Sequence, residues 1–148
     1  MASFILTPDQ ILRAVAALEV AWAGDDDALA ALAQDVPGEQ PLAVLVAEYG
    51  TLMLENTLLT ITGIRGLPEA EQQEAIEVFN GTLNGHQAEL AAGFLQGWAR
   101  STGSGAHAVG DLARAVLRAL LSFTTDGDDE TEVHALLDFL RADALAHS

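Results

Sequence analysis

The sequence predicts an all-α, single-domain bundle of five or six helices over residues 1–148, with a long central helix over about residues 68–100. Half of the chain is hydrophobic but only 5% is aromatic. Alanine and leucine, which are strong helix formers, supply most of the apolar side chains. These side chains recur every three or four residues along most of the chain, as in amphipathic helices. No repeat, linker or low-complexity segment divides the chain, so we predict one domain.

The first helix has a complete set of residues that favour a helix start. Thr7 is placed as the N-cap, Pro8 occupies the first helical position, and Gln10 completes a capping box. Gly24 ends the helix. The predicted buried face consists of Ile11, Val15, Leu18 and Trp22.

A short second helix and a long apolar third helix follow. Asp25, Asp26 and Asp27 open the second helix, because acidic side chains suit the positive N-terminal end of a helix. The third helix begins at Pro41, and Glu48 and Glu55 lie on its narrow polar face. The stretch over residues 41–64 is long enough to span a bilayer. The two glutamates interrupt it, so we interpret it as a soluble core helix and expect no membrane association.

The fourth predicted helix, from Pro68 to about Arg100, is apolar on two opposite sides. The small seam consists of Val78, Gly81, Gly85, Ala88, Ala92, Leu95 and Ala99. The bulky seam consists of Ile76, Phe79, Leu83, Leu90, Phe94 and Trp98. Asn-Gly pairs at 80–81 and 84–85 are typical of turns. Because both seams keep helical phase through these pairs, the pattern favours one helix over two.

Two further helices are predicted after residue 105, each preceded by a loop, at 101–105 and 126–130. The fifth helix runs from about Ala106 to Phe123 and the sixth from about Thr131 to Ala146. Their predicted buried positions are Val109, Leu112, Val116, Leu120, Phe123, Val133, Leu136, Leu137, Leu140 and Ala144.

Composition restricts the classes of partner. The net charge is −16, from 22 acidic residues against six arginines and no lysine. Such a chain repels phosphate, so we expect no nucleic-acid partner. Acidity supports solubility or attracts a basic protein partner. The lack of cysteine excludes disulfides and thiolate metal sites. No basic leader precedes the first apolar residues, so we expect a cytoplasmic protein, and the use of arginine without lysine is typical of a GC-rich bacterial genome.

One set of polar residues is a candidate ligand or metal site: Glu48, Glu55, His86, Gln87 and Glu89. Glu48 and Glu55 are two turns apart on one helix face, and His86 and Glu89 are three residues apart on the next long helix. Helical di-metal proteins use two Glu-x-x-His pairs, whereas this chain has a single pair in the reverse order. We therefore predict no cofactor. The competing interpretation is an ordinary buried polar network that includes Tyr49.

No catalytic motif is present. None of the serines has a Gly-x-Ser-x-Gly context, and a phosphate-binding loop would need the missing lysine. The favoured hypothesis is a non-enzymatic helical interaction protein that forms a homodimer through the small seam or binds a basic protein partner. The alternative hypothesis is a helical bundle that binds a small molecule or metal at the candidate polar site.

Overall fold

The computed structural model describes residues 6–34, 37–101, 105–122 and 130–146. This part of the chain contains no strand and forms seven α-helices, which confirms the predicted all-α bundle. The helices are α1 (Pro8–Ala23), α2 (Asp26–Leu32), α3 (Leu42–Ile61), α4 (Glu69–Asn80), α5 (Leu83–Ser101), α6 (Ala106–Ser122) and α7 (Glu130–Ala146), with a 3₁₀ turn at Ile64–Gly66. Phe123 and most of the two predicted loops at 101–105 and 126–130 lie outside the described residues.

Helix α3 lies at the centre of the bundle and packs against α1, α5 and α6. Its side chains are apolar nearly all round, so it is stable only when neighbours cover it on several sides. Leu45, Val46 and Tyr49 are almost completely buried. Of the described helices, α3 alone is long and apolar enough to cross a membrane, but 56% of its most apolar stretch is buried inside the fold. The core helix of a folded domain can be equally long and apolar.

The predicted start of α1 is confirmed by its hydrogen bonds. The Gln10 backbone N–H donates to Thr7 Oγ1 over 3.2 Å, and the Thr7 N–H donates to Gln10 Oε1 over 2.9 Å. Val15 and Leu18 are buried as predicted, while Ile11 and Trp22 are only partly buried. At α2, Asp25 Oδ1 accepts a hydrogen bond from the Ala28 N–H over 3.0 Å, so the acidic start is a cap.

The predicted continuous helix over residues 68–100 is interrupted between Asn80 and Leu83. Thr82 is the reason: its Oγ1 accepts a hydrogen bond from the Gly85 N–H over 3.1 Å and donates to the Phe79 carbonyl over 2.6 Å. One hydroxyl therefore starts α5 and closes α4, which satisfies backbone groups that both helix ends leave unpaired. The first Asn-Gly pair ends a helix, and the second lies inside one. The helical spacing of the apolar residues did not distinguish these two Asn-Gly pairs.

Arginines connect the helices from the outside of the bundle. Arg114 of α6 donates to the Ala21 carbonyl at the end of α1 over 3.0 Å, and Arg13 of α1 donates to the Leu32 carbonyl at the end of α2 over 2.8 Å. Arg141 of α7 pairs with Glu19 of α1. Cations favour the negative C-terminal ends of helices. These arginines therefore hold helix ends and neighbouring helices together.

Candidate functional site

The small seam is largely covered by the chain itself. Ala88, Leu95 and Ala99 are at most 8% exposed, and Gly85 is also buried, because this side of α5 packs along α3. Ala92 is half-buried. Within the folded chain these side chains therefore form an internal helix contact. The homodimer predicted through the small seam is not tested by this contact and stays a prediction.

Two members of the predicted interface do not belong to this contact. Val78 is in α4 and Gly81 is in the break, and both are exposed. The continuity of the seam through these positions was a coincidence of spacing. The helix that it describes begins only at Leu83.

The bulky seam of α5 lies on the outside of the bundle. Leu83, Leu90, Phe94 and Trp98 are 72%, 58%, 68% and 41% exposed. The two α4 members of the seam, Ile76 and Phe79, are half-buried, and Phe79 packs against the core. The bulky side of α5 is thus open to solvent. We call its four exposed members, Leu83, Leu90, Phe94 and Trp98, the α5 stripe.

The structure brings together part of the candidate polar site. Glu55 of α3 and Glu89 of α5 line the same cavity of about 210 Å³ between these helices. Glu48 lines a neighbouring cavity of about 110 Å³. Gln96 lines both cavities, and sequence analysis missed it because it belongs to neither seam. Three carboxylates therefore follow one groove between α3 and α5.

His86 and Gln87 stand apart from that groove. Both side chains are exposed, and His86 reaches only a shallow depression beside Phe94, which Glu89 also lines. The predicted network with Tyr49 does not form either, because the Tyr49 hydroxyl is buried and has no hydrogen-bond partner among the described residues. His86 and Gln87 do not join a buried network because they lie on the outer side of α5, where water solvates them.

The groove does not assemble a set of metal ligands. Among the described residues, no group of three or more histidine, cysteine, aspartate or glutamate side chains is close enough to hold a metal ion. Thr51, which also lines the groove, donates its hydroxyl to the Ala47 carbonyl over 2.9 Å. The groove therefore offers carboxylates to water and to cationic groups.

Burial raises the pKa of both Glu48 and Glu55 above the ordinary value of a glutamate, because desolvation penalises the charged carboxylate. The folded state thus binds these protons more tightly than the unfolded state does. Stability from this source is largest below the ordinary pKa and falls as pH rises through the raised pKa. The two half-buried carboxylates therefore oppose folding at neutral pH.

Replacing Glu55 with glutamine is expected to raise the thermal unfolding midpoint at pH 7. The amide keeps the shape of the side chain but removes the desolvated charge. The gain in unfolding midpoint over wild type should shrink as pH is lowered towards 4, because protonation also removes the charge of Glu55 in the wild type. Circular dichroism melts across that pH range measure it. Glu74→Gln, at an exposed position of α4, is the matched control for loss of one negative charge, and equal gains in the two variants would contradict the prediction.

Comparison of the chain with known protein families, with characterised proteins and with solved structures gives no match.

Proposed function

We propose that this protein is a non-enzymatic helical interaction module that self-associates through the α5 stripe. The observation that carries the proposal is the exposure of its four large side chains, between 41% and 72%, on one side of a single helix. Apolar patches of this kind on soluble proteins mark interaction sites. Transfer of this surface from water to a partner surface supplies the driving force.

A second copy is the partner that suits this surface. Leu83, Leu90 and Phe94 share one side of α5 with Gln87, Gly97 and Ser101, at spacings of four, three, four, three and four residues. None of these six positions carries a charge. Two chains of net charge −16 therefore meet here without placing carboxylates against each other.

The side chains along this face also complement one another in size when two copies pair antiparallel. A two-fold axis level with residue 92 sets Leu90 against the partner's Phe94, Gln87 against the partner's Gly97, and Leu83 against the partner's Ser101. Two of these three layers combine a large side chain with a small one, which lets facing helices interdigitate. Isologous contacts of this kind are the commonest in soluble oligomers.

The size of the contact predicts a weak, concentration-dependent dimer. A helix of 19 residues covers about 28 by 10 Å, which is less than the ~800 Å² per subunit of a typical stable interface. Net repulsion between the two acidic chains weakens it further, and salt screens that repulsion. Dimerisation should therefore strengthen with added salt. Binding of a basic protein at the same surface would weaken with salt, so the salt dependence separates the two kinds of partner.

Light scattering after size exclusion tests the proposal. Wild type should shift from monomer towards dimer as its concentration rises, and Leu90→Glu should remain monomeric because it places two carboxylates beside the two-fold axis. Leu145→Glu is the matched control, because it makes the same exchange at a leucine of α7 that is 55% exposed, against 58% for Leu90. A wild-type chain that stays monomeric at high salt and millimolar concentration rules out self-association.

Single cysteines test the antiparallel geometry, because the chain has none of its own. Gly93→Cys lies beside the proposed axis, within reach of the same residue in the partner, and should form a disulfide-linked dimer. Ser101→Cys lies nine residues from the axis, so its two copies are separated by about 27 Å along the helices and should not link. Efficient linkage of both variants would instead indicate a parallel pair.

A further inference from the structure

A further cavity, separate from the α5 stripe, lies between α3, α6 and α7. Its apolar wall comes from these three helices and consists of Met53, Ile61, Leu120, Leu136, Phe139 and Leu140. Its volume is about 420 Å³, which is within the range of small-molecule sites. At ~30 Å³ for a water-sized group, the cavity has room for a molecule of up to about 14 non-hydrogen atoms.

The cavity has an open rim and a buried floor. Ile61 is 55% exposed and Phe139 is 63% exposed, whereas Leu120 and Leu140 are 5% and 2% exposed. All four side chains line the cavity. A molecule can therefore enter from solvent, and it gains free energy because it removes the apolar rim from water.

The charged and hydroxyl groups of the lining already have partners. Thr57 and Thr60 donate their hydroxyls to carbonyls about one turn earlier in α3, over 2.8 and 2.9 Å. Arg65 is hydrogen-bonded to the side-chain oxygen of Asn56, and Asp143 has an interaction of its own within the chain. A ligand with a charged group would therefore have to compete for these residues, whereas a hydrocarbon leaves each of these interactions intact.

A small molecule suits this cavity better than a segment of another protein. A polypeptide brings backbone N–H and C=O groups, which need hydrogen-bond partners when they are buried. The hydroxyls and charged groups of the cavity are already engaged, so they do not supply those partners. The Met53 thioether and the Phe139 ring, by contrast, both make favourable contacts with an aromatic ring.

We propose that the cavity between α3, α6 and α7 binds a small uncharged aromatic hydrocarbon. The site is independent of the α5 stripe, because none of its lining residues belongs to α5. The hydrophobic effect supplies the binding free energy, so the affinity rises with the apolar surface that the ligand buries. Charged molecules of the same shape bind weakly, because they lose hydration without gaining an unused polar partner.

Titration with toluene at pH 7 tests this site, with benzoate and benzylammonium as charged probes of similar size. In ¹H–¹⁵N spectra, toluene should saturate with a dissociation constant on the order of 1 mM and shift the amides of Leu136, Phe139 and Leu140. Ethylbenzene should bind about fourfold more tightly, since it buries one more methylene group. The charged probes should not saturate these amides in added salt, which screens the general attraction of cations to an acidic chain. Binding of either charged probe as tightly as toluene, or no saturable binding of toluene, would overturn the proposal.

A pair of matched variants locates the site. Phe139→Ala at the rim should weaken toluene binding by about fivefold, because it removes an aromatic contact. Phe94→Ala makes the same exchange on α5, at a side chain that is 68% exposed against 63% for Phe139, and should bind toluene like wild type. Equal affinities in the two variants would show that toluene binds elsewhere and that the proposal is wrong. Shifts of the cavity amides with protein concentration in the absence of toluene would show that a second copy covers the cavity, which also contradicts the proposal.

Discussion

Replacing Gly50 with alanine is expected to destabilise the protein by about 1 kcal/mol. A Cβ at this position would lie 2.8 and 2.9 Å from the two methyl groups of Val116, where α3 crosses α6. Val116 is itself 1% exposed, and a valine in a helix has a single favoured rotamer, so its methyls cannot turn away. Overpacking costs ~1–3 kcal/mol, which outweighs the roughly 1 kcal/mol that alanine gains over glycine in helix propensity.

Urea denaturation with a matched control measures this effect. Gly93→Ala makes the same exchange inside α5, where a Cβ meets nothing within 4 Å, and should stabilise the protein by about 0.5–1 kcal/mol. Val116→Ala should restore part of the loss in a double variant, since it removes the methyls that clash. A double variant no more stable than the sum of its single variants would show that the helix crossing is not the cause.

Gly85→Ala is expected to cost about 2–3 kcal/mol by forcing α4 and α5 apart. A Cβ here would collide with the Phe79 carbonyl oxygen and would lie 3.0 Å from the Asn80 Cα. These are backbone atoms, so relief requires movement of the whole end of α4. That movement also breaks the hydrogen bonds of Thr82 with Phe79 and Gly85.

Hydrogen exchange locates this damage. In Gly85→Ala, amides of α4 and of the break should exchange faster than in wild type, whereas amides of α1, α3 and α6 should keep most of their protection. Gly81→Ala is the control, because its nearest neighbour would be the Val78 carbonyl oxygen at 3.4 Å, an ordinary contact. Equal exchange rates in the two variants would mean that the corner tolerates a side chain at Gly85.

The elements that were predicted well are those that local chemistry determines. The capping box at Thr7 and Gln10 and the acidic cap at Asp25 depend on atoms within four residues of each other, so the sequence is sufficient to place them. The apolar face of α6 is another case: Val109, Leu112 and Val116 are all buried as predicted. The capping residues and the apolar spacing of a helix lie within its own sequence, so they can be identified without knowing which helices pack against it.

The candidate sites were predicted only in part, because they depend on which helices meet. Glu55 and Glu89 were selected from separate helices, and they do share a cavity. Gln96 was missed because its role arises from the groove between α3 and α5 and not from its own helix.

The sequence by itself determined that this protein is an acidic, all-α bundle and that the stretch now assigned to α5 is apolar on two sides. Only the tertiary structure decided which side is covered. Both seams have the same helical period, and periodicity reports that a surface is apolar without reporting what lies against it. The small side chains of Ala88 and Ala99 allow α5 to approach the crowded centre of the bundle, where α3 already contacts α1 and α6. The bulky side chains consequently remain outside, where we propose that a second copy binds.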